Sequence, residues 1–286
     1  MRGGRVLRTA AVAGISVWLT GLLLAQQPPA TPPAASPQSI APIDLTGTWV
    51  SVVSEDWRWR MMTPAKGDYA SLPLSDAGRK AADAWDYQAS QTPENACKPF
   101  GVGNIMRMPG RIRISWQNPS TLKLDFDAGT QTRLLNFVAG QAPAEPSWQG
   151  YSVASWEIAG QQVEVDRNGI PVAPAPAGGR GRGGRGAAQP PRGGALRVAT
   201  TNFRPGFLRK NGVPYSAQAS IVEYFDRISY PNGDEVLLVR TVVEDPQYLQ
   251  VPFITSTNFK RETSDAKWKA TPCAIDPPVE RPGVIR

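Results

Sequence analysis

The sequence predicts an all-β protein whose strands form an antiparallel meander. The meander is expected to close into a lipocalin-like barrel of about eight to ten strands with one short helix. Nine segments rich in β-branched and aromatic residues follow one another, each bounded by Gly, Pro, Asn or Asp. Short turns join several of these segments. So many strands joined in this way favour a closed barrel, because closure removes the exposed edges of an open sheet.

The chain begins with a segment that is typical of secreted proteins. Arg2, Arg5 and Arg8 precede an apolar run without charge that ends at Ala25. This pattern predicts a signal peptide over residues 1–25 and a periplasmic or secreted protein. The alternative is an uncleaved membrane anchor, which would be the protein's only contact with a membrane. Residues 26–42 are rich in Pro, Ala, Ser and Gln and predict a linker, because such a segment buries too little apolar surface to offset its ordering entropy.

A single β-barrel domain is predicted over residues 43–276, followed by a C-terminal tail at 277–286. The nine predicted strands span residues 47–54, 111–117, 121–127, 132–138, 151–159, 196–203, 219–229, 235–245 and 251–261. The stretches QNPS, before the third strand, and YPNGD, before the eighth, predict hairpin turns.

One helix is predicted at residues 75–88. Ser75 is a suitable N-cap, because its side chain can accept a hydrogen bond from a free backbone N–H of the first turn. Apolar residues recur at helical spacing and form one stripe, composed of Leu74, Ala77, Ala81 and Trp85. We expect this stripe to pack against the sheet or one mouth of the barrel.

Residues 178–194 read GGRGRGGRGAAQPPRGG, a composition that in other settings binds RNA. The chain carries a formal net charge of +7. Three leader arginines and four arginines of this stretch account for all of it, since 7 − 3 − 4 leaves zero. The body is therefore neutral, and we expect no nucleic-acid partner. Residues 170–194 predict a flexible insertion at a hairpin tip, with weak contact to anionic lipid or polysaccharide as the alternative.

Cys97 and Cys273 are the only cysteines. An oxidising compartment favours a disulfide between them, with two free thiols or a shared metal as alternatives. The chain contains no histidine, which excludes Ser-His-Asp and Cys-His catalysis and zinc sites built on histidine. No Gly-rich phosphate loop or calcium-loop spacing is present, so we expect neither a cofactor nor a metal.

Charged residues on several predicted strands share a face with bulky apolar residues. Successive side chains of a strand point to opposite faces. On this basis, the charged residues that share a face with apolar residues are Arg133, Glu157, Glu223, Arg227 and Arg240. If these faces line the barrel, the charges must be paired, because an isolated buried charge is very costly. We predict these five residues as ligand-binding residues, with Glu157 and Glu223 as candidate catalytic acids or bases. A purely structural network and a solvent-facing arrangement are the alternatives.

Tryptophans form a second candidate group. Trp57 and Trp59 alternate with arginines directly after the first strand, and Trp156 lies on the fifth. Indole rings near a barrel mouth can stack on an apolar ligand, and adjacent arginines can hold a carboxylate or phosphate. We predict these three tryptophans as ligand-binding residues, with core packing as the alternative.

Two resemblances emerge from these segments. LTGTW at residues 45–49 resembles the G-x-W motif that opens the first strand of lipocalins, although here a long excursion with a helix follows that strand. Most of the body, through PLSDAGRKAADAW, CKPFG, MRMPGRIRI, SWQGYSVASWE and VEYFDRI, resembles a group of exported bacterial proteins with predicted β-barrels and no assigned activity. The second resemblance implies export and a barrel, and it supplies no reaction.

Together these features predict an exported lipocalin-like barrel that binds a small, partly apolar and anionic ligand. The alternative is a carboxylate-dependent enzyme in the barrel lumen, an isomerase, cyclase or hydrolase, because a glutamate among apolar residues is suited to proton transfer. A cell-envelope interaction module is the third hypothesis. The sequence does not indicate an oligomeric state.

Overall fold

A computed structural model describes residues 35–158 and 194–280. Nine strands in this part of the chain close into one barrel. They are β1 (Gly47–Val52), β2 (Arg111–Asn118), β3 (Thr121–Phe126), β4 (Gln131–Asn136), β5 (Tyr151–Ile158), β6 (Gly194–Thr201), β9 (Ser220–Ser229), β10 (Glu235–Glu244) and β11 (Phe253–Glu262). Both ends of each strand lie within two residues of the ends that the sequence predicts. The predicted all-β barrel is confirmed.

The order of strands around the barrel is β1-β11-β10-β9-β6-β5-β4-β3-β2, and β2 pairs with β1 to close it. Strands β4 and β5 are parallel, and the other eight pairs are antiparallel. A closed ring with an odd number of strands cannot reverse direction at every step. Nine strands therefore require at least one parallel pair, and here the barrel differs from the purely antiparallel meander that the sequence predicted.

Two short strands, β7 (Gly206–Arg209) and β8 (Val213–Tyr215), form a separate hairpin between β6 and β9. Gly212 makes its turn possible, with a backbone φ of 82° that side-chain-bearing residues rarely adopt. The sequence did not predict this hairpin. Strands of four and three residues are too short to show the alternation by which the longer strands were recognised.

The barrel end at which β1 stops and β2 starts is covered, and we call it the capped end. The cap contains the excursion between these strands, the β7–β8 hairpin and the β10–β11 loop. Its α-helices are α1 (Trp57–Arg60) and α2 (Asp76–Asp83). α2 confirms the predicted helix over a shorter range, and Ser75 accepts a hydrogen bond from the Gly78 backbone N–H at 3.1 Å. Leu74 and Trp85 of the predicted apolar stripe are buried, but Ala77 is exposed and Ala81 is half-buried. The buried face of α2 itself is formed by Gly78 and Ala82, one position further along the chain.

The opposite end of the barrel is lined by aromatic residues and by the chain before β1. The Trp156 indole donates a hydrogen bond to the Pro37 carbonyl at 2.8 Å, and Ala41 and Ile43 pack against the core. Residues 35–42 of the predicted linker therefore lie against the barrel. The lumen at this end is packed with fully buried side chains, including Trp49, Phe225 and Phe259.

A disulfide joins Cys97 to Cys273, which are 176 residues apart in the chain, and confirms the predicted pairing. The chain after β11 then runs along the cap. The Thr271 N–H donates to the Asp127 carbonyl at 2.8 Å, and the Val279 N–H donates to the Thr63 carbonyl at 2.9 Å. The disulfide thus ties this segment to the loop that contains Cys97.

Several predicted features lie outside the described residues: the signal peptide at 1–25, residues 26–34 of the linker, the insertion except Gly194, and the tail from 281. Gly194 begins β6 and pairs with Ile158 of β5, so the insertion connects two neighbouring antiparallel strands. Within residues 35–158 and 194–280, no helix combines the length and apolar character needed to cross a bilayer.

Candidate functional site

The structure divides the five predicted charged residues between the two faces of the barrel. Arg133, Glu223 and Arg227 alternate with outward-facing residues and point into the lumen. Glu157 and Arg240 occupy outward-facing positions, and their side chains are 40% and 53% exposed. Arg240 lies 3.7 Å from Asp226, and Glu157 lies 4.0 Å from Arg197. Only Arg133 and Glu223 come together.

Arg133 and Glu223 form an ion pair in the lumen, and both side chains have 0% exposure. Arg133 Nε donates to Ser152 Oγ at 3.0 Å, and its Nη2 donates to Thr200 Oγ1 at 2.6 Å. Nη2 also contacts the Glu223 carboxylate, as an ion pair whose angles do not meet hydrogen-bond geometry. Arg133 Nη1 and Glu223 Oε1 have no hydrogen-bond partner among the described residues. The pair thus keeps one free donor and one free acceptor.

Hydroxyl groups surround this ion pair. We use the name polar layer for the interior residues Arg133, Ser152, Thr200, Glu223, Thr241 and Thr255. Glu223 pairs directly with Thr241 across β9 and β10, and Thr241 pairs with Thr255 across β10 and β11. These two threonines keep 5% and 8% exposure despite facing inward. The charged members were predicted, but the hydroxyl members were not, because serine and threonine are common on both faces of strands.

Arg227 belongs to a different network at the opposite end. It lies four residues beyond Glu223 on β9, about 13 Å along the strand. Its guanidinium contacts Glu235 and donates to the Asp44 carbonyl at 3.0 Å. Arg261 lies 2.5 Å from Glu235 and 5.6 Å from the centroid of the Trp49 ring. Hydrogen bonding to Arg261 holds the pKa of Glu235 below its usual range, so these charges satisfy one another.

The predicted tryptophans lie in three different environments. Trp156 is buried at the opposite end, its ring 5.3 Å from that of Phe137. Trp57 is 60% exposed on α1. The Trp59 ring contacts two guanidinium groups, with those of Arg58 and Arg209 centred 5.6 Å and 4.5 Å from the ring. Of the three predicted tryptophans, Trp59 therefore has the closest contacts with charged side chains.

Four arginines lie in the region of Trp59, and we define the arginine cluster as the exposed Arg58 together with the buried Arg60, Arg107 and Arg209. Arg60 Nε donates to the Arg107 carbonyl at 3.0 Å, which joins two members directly. Arg60 also contacts Glu55, and Arg107 Nη2 donates to Asp56 at 2.8 Å.

The third buried member, Arg209, is held by backbone carbonyls. Its Nη1 and Nη2 donate to Asp68 and Ala70 at 3.1 Å and 3.0 Å. Burial lowers the pKa of Arg209 to about 10, and the positive charge of Arg107 acts in the same direction. Burial also lowers the pKa of Arg60, against the opposing effect of Glu55. Both guanidinium groups would be stabilised by additional negative charge.

The sequence indicated only part of this cluster. Arg58 and Arg60 alternate with the tryptophans and were recognised as their neighbours. Arg107 and Arg209 lie in stretches without a predicted strand, and their contacts span 51 and 141 residues of chain. Contacts between residues so far apart in the chain cannot be recognised from a local sequence pattern.

No protein-family model, curated protein or solved structure matches this chain. The described ranges, 35–158 and 194–280, also contain no group of three or more His, Cys, Asp or Glu side chains that could hold a metal ion. The functional interpretation therefore depends on the polar layer and the arginine cluster.

Proposed function

We propose that this protein is an exported barrel that binds a small, partly apolar acid, with the acid group in the polar layer. The observation that carries the proposal is the buried Arg133–Glu223 pair, which keeps a free donor at Nη1 and a free acceptor at Oε1. Buried polar groups without partners are rare in folded proteins, because each costs about 1–3 kcal/mol.

A carboxylic acid supplies both of the missing partners. Its carbonyl oxygen accepts from Arg133 Nη1, and its hydroxyl donates to Glu223 Oε1. The apolar part of the ligand then faces the interior residues next to the pair, such as Leu135, Val198 and Phe225, all of which are fully buried. The packed lumen beyond these residues favours a small ligand.

This arrangement takes up one proton when an ionised acid binds, because the acid and Glu223 share a proton. Affinity is therefore expected to fall by about tenfold for each pH unit above the ligand's own pKa. A site that held the same acid by charge attraction alone would not have this dependence.

Export agrees with the Cys97–Cys273 disulfide, which persists in oxidising compartments. Export also agrees with the leader-like first 25 residues of the sequence. Expression with and without residues 1–25, followed by cell fractionation and N-terminal sequencing, tests this part. Recovery of the intact chain in the cytoplasm would contradict it.

Ligand binding is tested by titrating the protein with fatty acids, aromatic acids and isoprenoid acids while recording tryptophan fluorescence. We expect saturable binding of at least one class, tighter at pH 5.5 than at pH 7.5. Glu223→Gln should abolish the pH dependence and tighten binding at pH 7.5, because its amide can donate to the ionised acid and the Arg133 charge is no longer balanced by Glu223. Glu157→Gln, which changes the same residue type on the outer face, is the matched control. An unchanged affinity in Glu223→Gln, or no fluorescence response to any panel member, would contradict the proposal.

A second candidate function is acid–base catalysis by Glu223. The observation that favours it is the free carboxylate oxygen next to a guanidinium group in a site with 0% exposure. A base in this position should exchange the α-protons of bound acids for deuterium in D2O, which proton NMR measures directly. Exchange that disappears in Glu223→Gln and persists in Glu157→Gln would support catalysis, and no exchange with any bound acid would exclude this form of it.

A further inference from the structure

We propose that the arginine cluster of the cap is a binding site for a small oxyanion of the carboxylate or phosphate type. This site is separate from the polar layer, and the proposal does not depend on the function proposed above.

The first argument is the number of free buried donors. Arg60 Nη2, Arg107 Nη1 and Arg209 Nε are buried and have no hydrogen-bond partner in the described part of the chain. The three residues are 2%, 5% and 2% exposed. The Trp59 indole N–H, on a ring in contact with Arg209, is buried and free as well. Four N–H donors, three from the arginine cluster and one from Trp59, therefore lack an acceptor.

The second argument is charge. The four arginines of the cluster contact three carboxylates, those of Glu55, Asp56 and Asp68. The difference, 4 − 3, leaves one positive charge in excess. A neutral occupant such as water would supply acceptors but would leave this charge uncompensated. A singly charged oxyanion supplies two or more acceptor oxygens and balances the charge, and guanidinium groups bind such anions with favourable geometry.

The third argument is access from solvent. The Arg58 side chain is 61% exposed, so one member of the cluster is in contact with solvent. The Arg107 guanidinium lies 5.8 Å from the centroid of the Phe253 ring. Phe253 lines an open groove of about 510 Å³ together with Leu72, Pro73 and Ile254. The groove therefore adjoins the arginine cluster through Phe253, and its volume leaves room for an apolar substituent of the anion.

Isothermal titration calorimetry of the full chain at pH 7 and low ionic strength tests the site. The probes are phosphate and sulfate, which the lumen site is not proposed to bind, with chloride at the same ionic strength as the reference. We expect at least one oxyanion to bind with one site per chain and chloride to bind more weakly. Glu223→Gln should leave this binding unchanged, so failure of the lumen proposal and failure of this proposal give different results.

Trp59→Phe is the sharpest variant, because it removes the indole N–H and keeps an aromatic ring for the two guanidinium groups. We expect oxyanion affinity to fall by about tenfold, the effect of losing one hydrogen bond to a charged group. Trp57→Phe is the matched control, since Trp57 lies two residues away and is exposed. Its affinity should not change.

Arg209→Lys provides a second measurement if Trp59→Phe does not fold, as judged by circular dichroism. It keeps the positive charge and removes the free Nε donor, and we again expect a loss of about tenfold. The proposal is overturned if no oxyanion binds more tightly than chloride. It is also overturned if the folded variant, Trp59→Phe or Arg209→Lys, binds as tightly as the parent protein.

Discussion

Removal of one partner of the buried Arg133–Glu223 pair should destabilise the barrel strongly, and removal of both should not. Arg133→Met leaves the Glu223 carboxylate charged and unpaired in a site with 0% exposure. The expected cost is about 3–5 kcal/mol of unfolding free energy. Ser152 and Thr200 add little to this cost, because their hydroxyl oxygens lie 2.9 Å apart and remain partners. Glu223→Leu strands the guanidinium in the same way and should cost a similar amount.

The double variant Arg133→Met with Glu223→Leu replaces two buried charges by apolar side chains. We expect its stability to be close to that of the parent protein, or higher by about 1–4 kcal/mol, because neither charge then has to be desolvated. The coupling energy of the double-mutant cycle should therefore exceed about 3 kcal/mol.

Urea denaturation at pH 7 measures all four corners of this cycle. Tryptophan fluorescence and far-UV circular dichroism should give coincident transitions, which is the condition for a two-state free energy. Arg240→Met is the control: its pair with Asp226 is 3.7 Å apart and its side chain is 53% exposed, so the loss should stay below about 1 kcal/mol. Additive effects of the two buried substitutions would refute the reasoning, because they would show that the two groups do not interact in the folded state.

Three further predictions concern the cap and its disulfide. Replacement of Cys97 and Cys273 by serine should lower the unfolding free energy by about 5 kcal/mol on the chain-entropy model for a loop of 176 residues, as measured by urea melts; an unchanged midpoint would contradict it. Burial lowers the pKa of Lys210 to about 8. Below pH 8 the buried charge therefore lowers the free energy of unfolding by a constant amount. This penalty disappears as the pH rises from 8 towards the pKa of lysine in the unfolded chain, about 10.4. Lys210→Met should therefore be more stable than the parent at pH 7, with the difference narrowing between pH 8 and pH 10 in denaturation curves; a constant difference would contradict the assignment. Gly212 and Gly233 have φ values of 82° and 84°, but a Cβ at Gly212 would lie 2.1 Å from an indole carbon, whereas a Cβ at Gly233 meets nothing within 4 Å. Gly233→Ala should cost about 1–2 kcal/mol, and Gly212→Ala should cost clearly more. Equal losses in thermal melts would contradict the packing of Trp85 on the β7–β8 hairpin.

The barrel strands could be predicted from the sequence because each is long enough to show a local pattern. β9, β10 and β11 have ten residues each, and their buried and exposed positions alternate. The parallel β4–β5 pair could not be predicted in the same way. Its register depends on the closure of the whole ring, and only Leu135–Ser152 and Asn136–Val153 are paired there.

Which face of each strand points inward was only partly predictable. On β9, Glu223 shares one face with Ile221 and Phe225, and all three point into the lumen. On β10, both faces are apolar: Leu237 and Val239 point inward, whereas Val236 and Leu238 share the outer face with Arg240. A strand with two apolar faces gives no preference, and a one-residue shift exchanges all of its side chains between faces. The same ambiguity applies to β5, where Glu157 shares the outer face with Val153, which is itself buried.

The distribution of unpaired buried groups supports the proposal that the capped half of the molecule is the functional half. At the opposite end the charges of Arg227, Glu235 and Arg261 satisfy one another, and Arg227 Nε is the one atom of these three side chains without a partner in the described ranges. In the capped half, free donors or acceptors occur on side chains of both the polar layer and the arginine cluster. Folding alone selects against such groups, since each costs free energy without a compensating contact. Their concentration in one half is expected if polar partners from outside the chain complete them, and it is not expected if both ends serve only to close the barrel.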